Sequence, residues 1–228
     1  MMDKALQMLQ LQQQLNDATN GENWEEGVTK NGKVINWKRC IYMECAEIVD
    51  SFAWKHWKSI AKEPDWDNLQ IEVVDIWHFV MSEVLRDYAI NFRGSMDQLA
   101  VDIADMPSYS ALYAEPKPFA TPEAVMEKVE QLMFDVLRRE EFDADTLMID
   151  FFELVSMSGL NLPSLYRLYV GKNILNQFRQ DHGYKEGSYI KIWNDEEDNV
   201  VMKRIWEENG ELKPEALYRE LKKRYDVL

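Results

Sequence analysis

The sequence predicts an all-α protein, a helical bundle with no significant β-sheet. Apolar residues recur at helical spacing through most of the 228 residues, and neither a series of alternating strands nor a solenoid repeat is evident. Helix start signals follow turn signals, as at Lys62-Glu63-Pro64-Asp65 between two long apolar stretches. With 46% hydrophobic and 12% aromatic residues, the chain has enough apolar material for a substantial core.

The same pattern places the individual helices. They are predicted at residues 3–16, Trp37–Trp57, Trp66–Phe92, Thr121–Glu141, 145–158, Asn161–Gln180, 199–208 and 214–225. Glycines indicate a loop or short hairpin at 21–36, and residues 181–198 are predicted to form a polar loop. Prolines make Gly94–Pro122 the least regular stretch. We expect one domain over residues 1–228, with a variable insertion, a candidate for mobility, at about 94–144.

Charge and cysteine usage restrict the function. A formal net charge of −15 argues against a protein that coats nucleic acid by neutralising phosphates, and against attraction to an anionic membrane surface. No apolar run is long enough to span a bilayer. The two cysteines, Cys40 and Cys45, cannot form a disulfide within one helix. Free thiols without a signal peptide predict a reducing, cytoplasmic location.

Two short acidic runs carry the chemistry. Glu44 and Glu47 form one pair, and Glu72 and Asp75 form the other. Residues three apart are neighbours on a helix surface, and both pairs are embedded in apolar helix, which places them inside the fold or in a cleft. An antiparallel helical hairpin would bring the pairs together. Such a site cannot hold four ionised carboxylates without cations, and oxygen ligands favour Mg²⁺.

Each of these patterns has a simpler explanation. A single E-x-x-E motif is usually a solvated helix face, so the metal hypothesis depends on two such motifs in apolar surroundings. His78 continues the second acidic stripe; it is either a hydrogen-bonded core residue or part of the site lining.

Two features suggest contacts with a nucleobase. Gln12 and Asn16, four residues apart, project together and carry the donors and acceptors that read a pyrimidine edge; the alternative is an ordinary helix surface. Lys55-His56-Trp57-Lys58 is predicted to end the first acidic helix. Dipole compensation explains the lysines, whereas Trp57 also suits packing on a base or sugar.

A basic cluster near the C-terminus suits phosphate. Lys172, Asn176 and Arg179 share one helix face, and residues 183–191 form a loop with basic and hydroxyl groups. In a chain with 26 basic and 41 acidic residues this is either a phosphate clamp or ordinary surface charge. The sequence has no Walker loop, dinucleotide fingerprint or Ser-His-Asp motif.

Together these motifs resemble one family, the dimeric all-α dUTPases of the all-α nucleoside triphosphate pyrophosphohydrolase superfamily. The motifs are L-Q-x-x-L-N at Leu11–Asn16, the two acidic pairs, K-N-x-L-N-x-F-R-Q-x-x-G-Y-K-x-G-S-Y at Lys172–Tyr189, and E-D-N at Glu197–Asn199. The resemblance covers about residues 8–93 and 145–200. E-x-x-E alone would indicate only the superfamily.

The resemblance implies roles by position. Glu44, Glu47, Glu72 and Asp75 would hold two or more Mg²⁺ ions, and Glu44 or Glu47 would polarise the attacking water. The uracil and deoxyribose pocket would be lined by Gln12, Asn16, Trp57 and His78. The phosphate side would be formed by Lys172, Asn176, Arg179, Tyr184, Lys185, Tyr189, Lys191 and Asn199.

The implied reaction is hydrolysis of dUTP, and of dUDP, by a cytoplasmic homodimer that acts on small nucleotides and keeps uracil out of DNA. The nearest alternative is a related pyrophosphohydrolase that takes dCTP as well as dUTP or removes damaged nucleotides. From another class, an acidic helical interaction protein or DNA mimic would use the −15 charge as its working surface.

Overall fold

The computed structural model describes residues 4–58, 63–138, 142–209 and 213–228. Within these ranges the protein is predominantly helical, which confirms the predicted all-α class. The helices are α1 (Lys4–Asn20), α2 (Trp37–Asp50), α3 (Trp66–Ile90), α4 (Met96–Asp105), α5 (Pro107–Ser110), α6 (Pro122–Leu137), α7 (Ala144–Met157), α8 (Leu162–Asp181), α9 (Asp198–Asn209) and α10 (Pro214–Tyr225). The strands β1 (Ile192–Trp193) and β2 (Glu196–Glu197) form a small antiparallel sheet.

The chain divides into two compact units, Met1–Leu165 and Tyr166–Leu228. They are called the N-terminal and C-terminal units, and each is described by itself. In the described ranges, no helix is both long and apolar enough to cross a membrane.

In the N-terminal unit, α2 and α3 form the predicted antiparallel hairpin. Three contacts show the direction. Lys38 Nζ near the start of α2 lies 3.6 Å from Glu83 Oε1 towards the end of α3. Glu44 lies near Glu72. Ser51 Oγ, just after α2, accepts a hydrogen bond from Asn68 Nδ2 at 2.9 Å.

The core of this unit is aromatic. Trp77 of α3 stacks on Phe151 of α7, with ring centroids 4.8 Å apart, and its Nε1 lies 3.3 Å from Met8 Sδ of α1. Phe152 packs against Trp77 and against Tyr109 of α5. All five side chains are buried, so the aromatic cluster fixes α3 between α1 and α7.

Capping residues start the helices where the sequence indicates. Asp65 accepts a hydrogen bond from the backbone N of Asn68, and Thr121 accepts one from Ala124 N, with Pro122 in the first turn of α6. The predicted loop or hairpin at residues 21–36 contains a short 3₁₀ helix, Trp24–Glu26, and an antiparallel bridge between Val28 and Val34.

The first acidic helix is shorter than predicted. The prediction that it continues to Trp57 and ends with Lys55–Lys58 is wrong, because α2 ends at Asp50. The Asp50 carboxylate accepts a hydrogen bond from Trp54 Nε1 at 2.9 Å, and Phe52 packs edge-on against Trp66 at the start of α3. These tertiary contacts reverse the chain where helical spacing alone would continue it.

The region Gly94–Pro122 is more regular than predicted. Helices α4 and α5 and a 3₁₀ helix at Ala111–Tyr113 occupy residues 96–113. Ser95 caps α4, which buries Leu99 and Ile103 and packs against α1. The prolines affect mainly residues 114–121. The predicted end of α6 at Glu141 lies outside the described residues; the last helical residue described is Leu137.

The C-terminal unit is built around Phe178 of α8. The rings of His182, Trp193, Tyr218 and Tyr225 surround it, and His182 stacks on it with centroids 3.9 Å apart. This cluster joins α8, β1 and α10. The predicted polar loop at 181–198 contains β1 and β2, and the predicted closing helices at 199–208 and 214–225 agree with α9 and α10.

Candidate functional site

The hairpin of α2 and α3 gathers three carboxylates. One oxygen atom from each of Glu44, Glu72 and Asp75 lies within 4.8 Å of the other two. Glu72 is 8% exposed, and the other two side chains are half-buried. The antiparallel packing explains why these three carboxylates lie close together, because a residue in the middle of α2 faces residues in the first half of α3.

The electrostatics of this cluster are unfavourable without a cation. Burial and, after it, the charges of Asp75, Glu47 and Glu72 together raise the pKa of Glu44 to about 8. Glu44 also shares a hydrogen bond with Glu72. The raised pKa favours the protonated form of Glu44 near neutral pH, and a bound divalent cation would replace that proton.

Glu47 has a different position from the other three. It is exposed, and it contributes to the potential at Glu44 without joining the three close oxygens. The structure thus brings together three of the four predicted ligands and leaves the fourth at the solvent side.

The donor set fits Mg²⁺. All three ligands are carboxylates, the type that hard divalent cations prefer. Oxygens around one Mg²⁺ lie about 3.0 to 4.2 Å apart, so small side-chain adjustments suffice from the observed spacing. A magnesium ion bound by three protein oxygens keeps positions for water and phosphate oxygens.

Next to this cluster in sequence, a buried polar network joins α1 to α3. His78 Nδ1 lies 2.7 Å from Gln12 Oε1, and Gln12 Nε2 donates to Asn16 Oδ1 at 3.1 Å. Ser82 Oγ accepts from Gln12 Nε2 at 3.1 Å and from Asn16 Nδ2 at 3.0 Å. The same hydroxyl lies 2.7 Å from the backbone oxygen of His78. Three of the predicted base-binding residues, Gln12, Asn16 and His78, therefore belong to one hydrogen-bonded network.

Trp57 lies outside this network. Its side chain is 62% exposed in the turn after α2, edge-on to Trp54 and His56 with centroids 5.5 and 5.0 Å away. The ring is accessible for stacking.

In the C-terminal unit, Arg179 is held by a buried carboxylate. Its Nε and Nη2 donate to the two oxygens of Asp198 at 2.8 and 2.7 Å, and Asp198 is fully buried. Tyr189 donates to the same carboxylate at 2.8 Å, and Arg179 Nη1 donates to Asn176 Oδ1 at 3.1 Å. Burial, with the Asp198 charge, raises the pKa of Tyr189, so its hydroxyl stays a donor.

Lys172 and Asn199 complete this cluster. Lys172 Nζ donates to Asn199 Oδ1 at 2.8 Å, and Arg179 Nη2 contacts the same oxygen at 3.3 Å. The cluster of Lys172, Asn176, Arg179, Tyr189, Asp198 and Asn199 is therefore connected.

The remaining predicted phosphate residues are exposed. Tyr184 lies with its ring centroid 5.7 Å from the Arg179 guanidinium carbon, Lys185 lies beside it in sequence, and Lys191 Nζ lies 3.5 Å from Glu197 Oε2. All three residues lie on the segment between α8 and β1.

Two residues with clear roles in these clusters were missed by the sequence analysis. Ser82 follows His78 by four residues, so the i, i+4 rule that paired Gln12 with Asn16 would have found it. Asp198 stands in the E-D-N motif, where only Asn199 was assigned a role.

Comparison with known proteins identifies a family. The model of a protein family described as dUTPase matches residues 4–184, which is most of the chain. The match includes the acidic cluster, the amide network and Arg179, and it also covers the region 94–144; Lys185 to Asn199 lie beyond it. No curated protein matched the chain.

Proposed function

We propose, from the premise that the chain belongs to the dUTPase family, that this dUTP diphosphatase is Mg²⁺-dependent and uses the site residues assigned below. Family membership and an all-α fold make it an enzyme of nucleotide metabolism that hydrolyses dUTP. Membership of this enzyme family also argues against the alternative of an acidic interaction protein or DNA mimic. The observation that carries the proposal is the meeting of Glu44, Glu72 and Asp75.

Magnesium dependence is supported by charge. Three carboxylates would repel a triphosphate, so substrate binding at this cluster requires positive charge between them. We assign Glu44, Glu72 and Asp75 as ligands, with Glu47 completing the set for a second ion. When bound, Mg²⁺ neutralises phosphate oxygens and orients the attacking water.

Glu44 and Glu47 are the candidates for moving the proton of that water. Glu44 is the first candidate, because it belongs to the three close carboxylates that would hold the ion. Glu47 is exposed beside it and is the alternative acceptor. The carboxylates of Glu44 and Glu47 both extend from α2, a rigid element, so the water would be held in one position relative to the metal ligands.

We assign the base and the phosphates to different sets of residues. Gln12, Asn16 and His78 would contact uracil from the amide network, with Trp57 stacking from its turn. The phosphates would contact the C-terminal cluster of Lys172, Asn176, Arg179, Tyr189 and Asn199, with Tyr184, Lys185 and Lys191 from the loop. Two cationic groups and several donors suit oxygens that gain charge during hydrolysis.

The remaining family expectations are part of the proposal. The enzyme would also hydrolyse dUDP, act as a homodimer and keep uracil out of DNA, with residues 94–144 as the variable part of one domain. Both cysteines are free thiols, which supports a reducing, cytoplasmic location.

Pyrophosphate release with each dNTP, with and without EDTA, tests the proposal. We expect strong preference for dUTP and complete loss of activity with the chelator, restored by excess Mg²⁺. Equal rates with all bases would contradict the assigned specificity, and full activity in EDTA would contradict the metal site. Comparable rates with dCTP would favour the related dCTP/dUTP pyrophosphohydrolase.

A further inference from the structure

Ser82 ties the amide network to a group of fixed polarity. Its hydroxyl lies 2.7 Å from the backbone oxygen of His78, four residues earlier on α3. A carbonyl oxygen only accepts, and a hydroxyl has one hydrogen, so Ser82 must donate there. Its two lone pairs then face Gln12 and Asn16 and accept from their amide nitrogens.

This arrangement determines the polarity of every other bond in the network. Because Gln12 turns its Nε2 towards Ser82, its Oε1 faces the ring of His78 at 2.7 Å. That oxygen only accepts, so Nδ1 of His78 carries the proton, and Nε2 of the neutral ring is an acceptor. Ser82 therefore fixes both an amide orientation and a histidine tautomer.

The orientation of Asn16 follows in the same way. Its Oδ1 accepts from Gln12 Nε2 and its Nδ2 donates to Ser82 Oγ. Ser82 Oγ also lies 3.4 Å from Asn16 Oδ1, so the hydroxyl faces the edge of the amide that carries both polar atoms. Among the described residues, the second hydrogen of Nδ2 points away from this edge, and it is the donor that Asn16 can offer to a base.

Uracil and cytosine differ in the way such an amide can pair with them. Uracil presents N3–H and the O4 acceptor, whereas cytosine presents the N3 lone pair and an amino group. An amide N–H fixed opposite this position donates to O4 of uracil, but it meets a second donor at the amino group of cytosine. Turning Asn16 over would place its oxygen against the lone pairs of Ser82 and its nitrogen against Gln12 Nε2.

We propose that Ser82 is a positioning residue for base selection, which holds the Asn16 amide in the orientation that suits uracil and excludes cytosine. This inference rests on the proposed function, because it takes Asn16 as a residue that reads the base. Ser82 acts through its neighbours and is itself fully buried.

The test compares two buried serines. Ser158 is also fully buried and donates to a backbone oxygen four residues earlier, that of Leu154 at 2.8 Å. Ser158→Ala thus loses the same type of bond as Ser82→Ala, but away from the amide network. Ser82→Thr retains the hydroxyl and serves as the conservative variant.

Values of kcat/KM for dUTP and dCTP give the first readout. We expect Ser82→Ala to reduce the preference for dUTP by about tenfold or more, because two buried amide N–H groups lose their acceptor. The change should appear mainly in KM, since base contacts act before and during the reaction. Ser158→Ala should keep the wild-type preference, and Ser82→Thr should regain most of it.

Imidazole ¹⁵N spectra of the nucleotide-free protein give the second readout. The chain has three histidines, so single substitutions of the other two assign the signals. We expect His78 to carry its proton on Nδ1 in the wild type and to show a mixture of tautomers in Ser82→Ala. A wild-type proton on Nε2 would overturn the inference without any variant.

The kinetic outcomes separate this inference from the proposed function. A wild-type enzyme that hydrolyses dCTP as fast as dUTP would contradict both. A selective wild type together with unchanged selectivity in Ser82→Ala would contradict the role of Ser82 alone.

Discussion

Two pairs of packed helices in the N-terminal unit gather carboxyl groups, and they balance the charge in different ways. At the α2–α3 cluster, the charges that act most strongly on Glu44 are those of other carboxylates. Between α6 and α7, Lys128 Nζ lies 2.9 Å from Asp150 Oδ1 and 2.6 Å from Glu153 Oε2. Asp135 is buried beside Asp150, with its pKa raised to about 6 by burial and by a hydrogen bond to Asp150.

The difference distinguishes a structural acidic cluster from a functional one. Lys128 is part of the folded protein, so it keeps α6 and α7 together whatever ions the solution contains. A cluster of like charges costs stability in the free protein and gains it when a cation binds. The unfavourable cluster is therefore the one expected to bind metal.

The largest expected effect comes from removing a carboxylate at the α2–α3 cluster. Asp75→Asn should lower dUTP turnover by orders of magnitude, because Mg²⁺ loses a ligand, while the fold remains intact since a like charge is removed. Pyrophosphate release and circular dichroism measure the two effects. Glu153→Gln, which removes one charge from the α6–α7 cluster, is the control and should retain turnover. Equal losses in both variants would mean that Asp75 has no special role.

A smaller effect is expected from removing the lysine of the α6–α7 cluster. Lys128→Met should lower the free energy of unfolding by about 2 kcal/mol, because partly buried carboxylates lose their cation. Urea denaturation measures it, and Lys128→Arg should retain most of the stability. Unchanged stability in Lys128→Met would show that solvent already balances this cluster.

The smallest effect is the stabilisation by Mg²⁺, which is added to a dependence of stability on pH. A carboxyl group with a raised pKa stabilises the fold most when protonated. The contribution of Asp135 is complete below about pH 3.8 and is lost as the pH rises through about 6. The contribution of Glu44 to stability is complete below about pH 4.5 and is lost as the pH rises through about 8.

Binding of Mg²⁺ should offset the loss of stability that comes from Glu44, but not the loss that comes from Asp135. At a free Mg²⁺ concentration about ten times the Kd, binding would add about 1.4 kcal/mol to the free energy of unfolding. We expect that gain at pH 9, where Glu44 is ionised, and a much smaller one at pH 5. Urea unfolding at pH 5, 7 and 9 measures it, and Asp135→Asn should flatten the acidic limb alone. A Mg²⁺ effect of equal size at pH 5 and 9 would contradict the assignment of Glu44.

The acidic hairpin was predictable because its signal is local. Helical periodicity placed both acidic pairs, and the turn between them implied antiparallel packing. That Glu47 stays exposed while Glu44 joins the cluster depends on how α2 is rotated against α3. That rotation is set by packing of the whole unit, including Trp77 and its neighbours.

The errors had tertiary causes. Helix α2 stops at Asp50 because Phe52 packs on Trp66, a contact between separate segments. Residues 96–113 are helical because α4 packs against α1, although the prolines nearby suggested irregular structure. Asp198 was missed because its bond to Arg179 joins positions that lie on different elements.

The early end of α2 places Trp57 outside the helix that carries Glu44 and Glu47. The Trp57 ring packs edge-on against Trp54, whose Nε1 donates to Asp50 at the end of α2. Substitutions near residue 57 can therefore move the aromatic ring and leave the carboxylates in place. Under the proposed assignment of Trp57 to the base, base preference could diverge among descendants of this sequence while their carboxylate cluster is inherited unchanged.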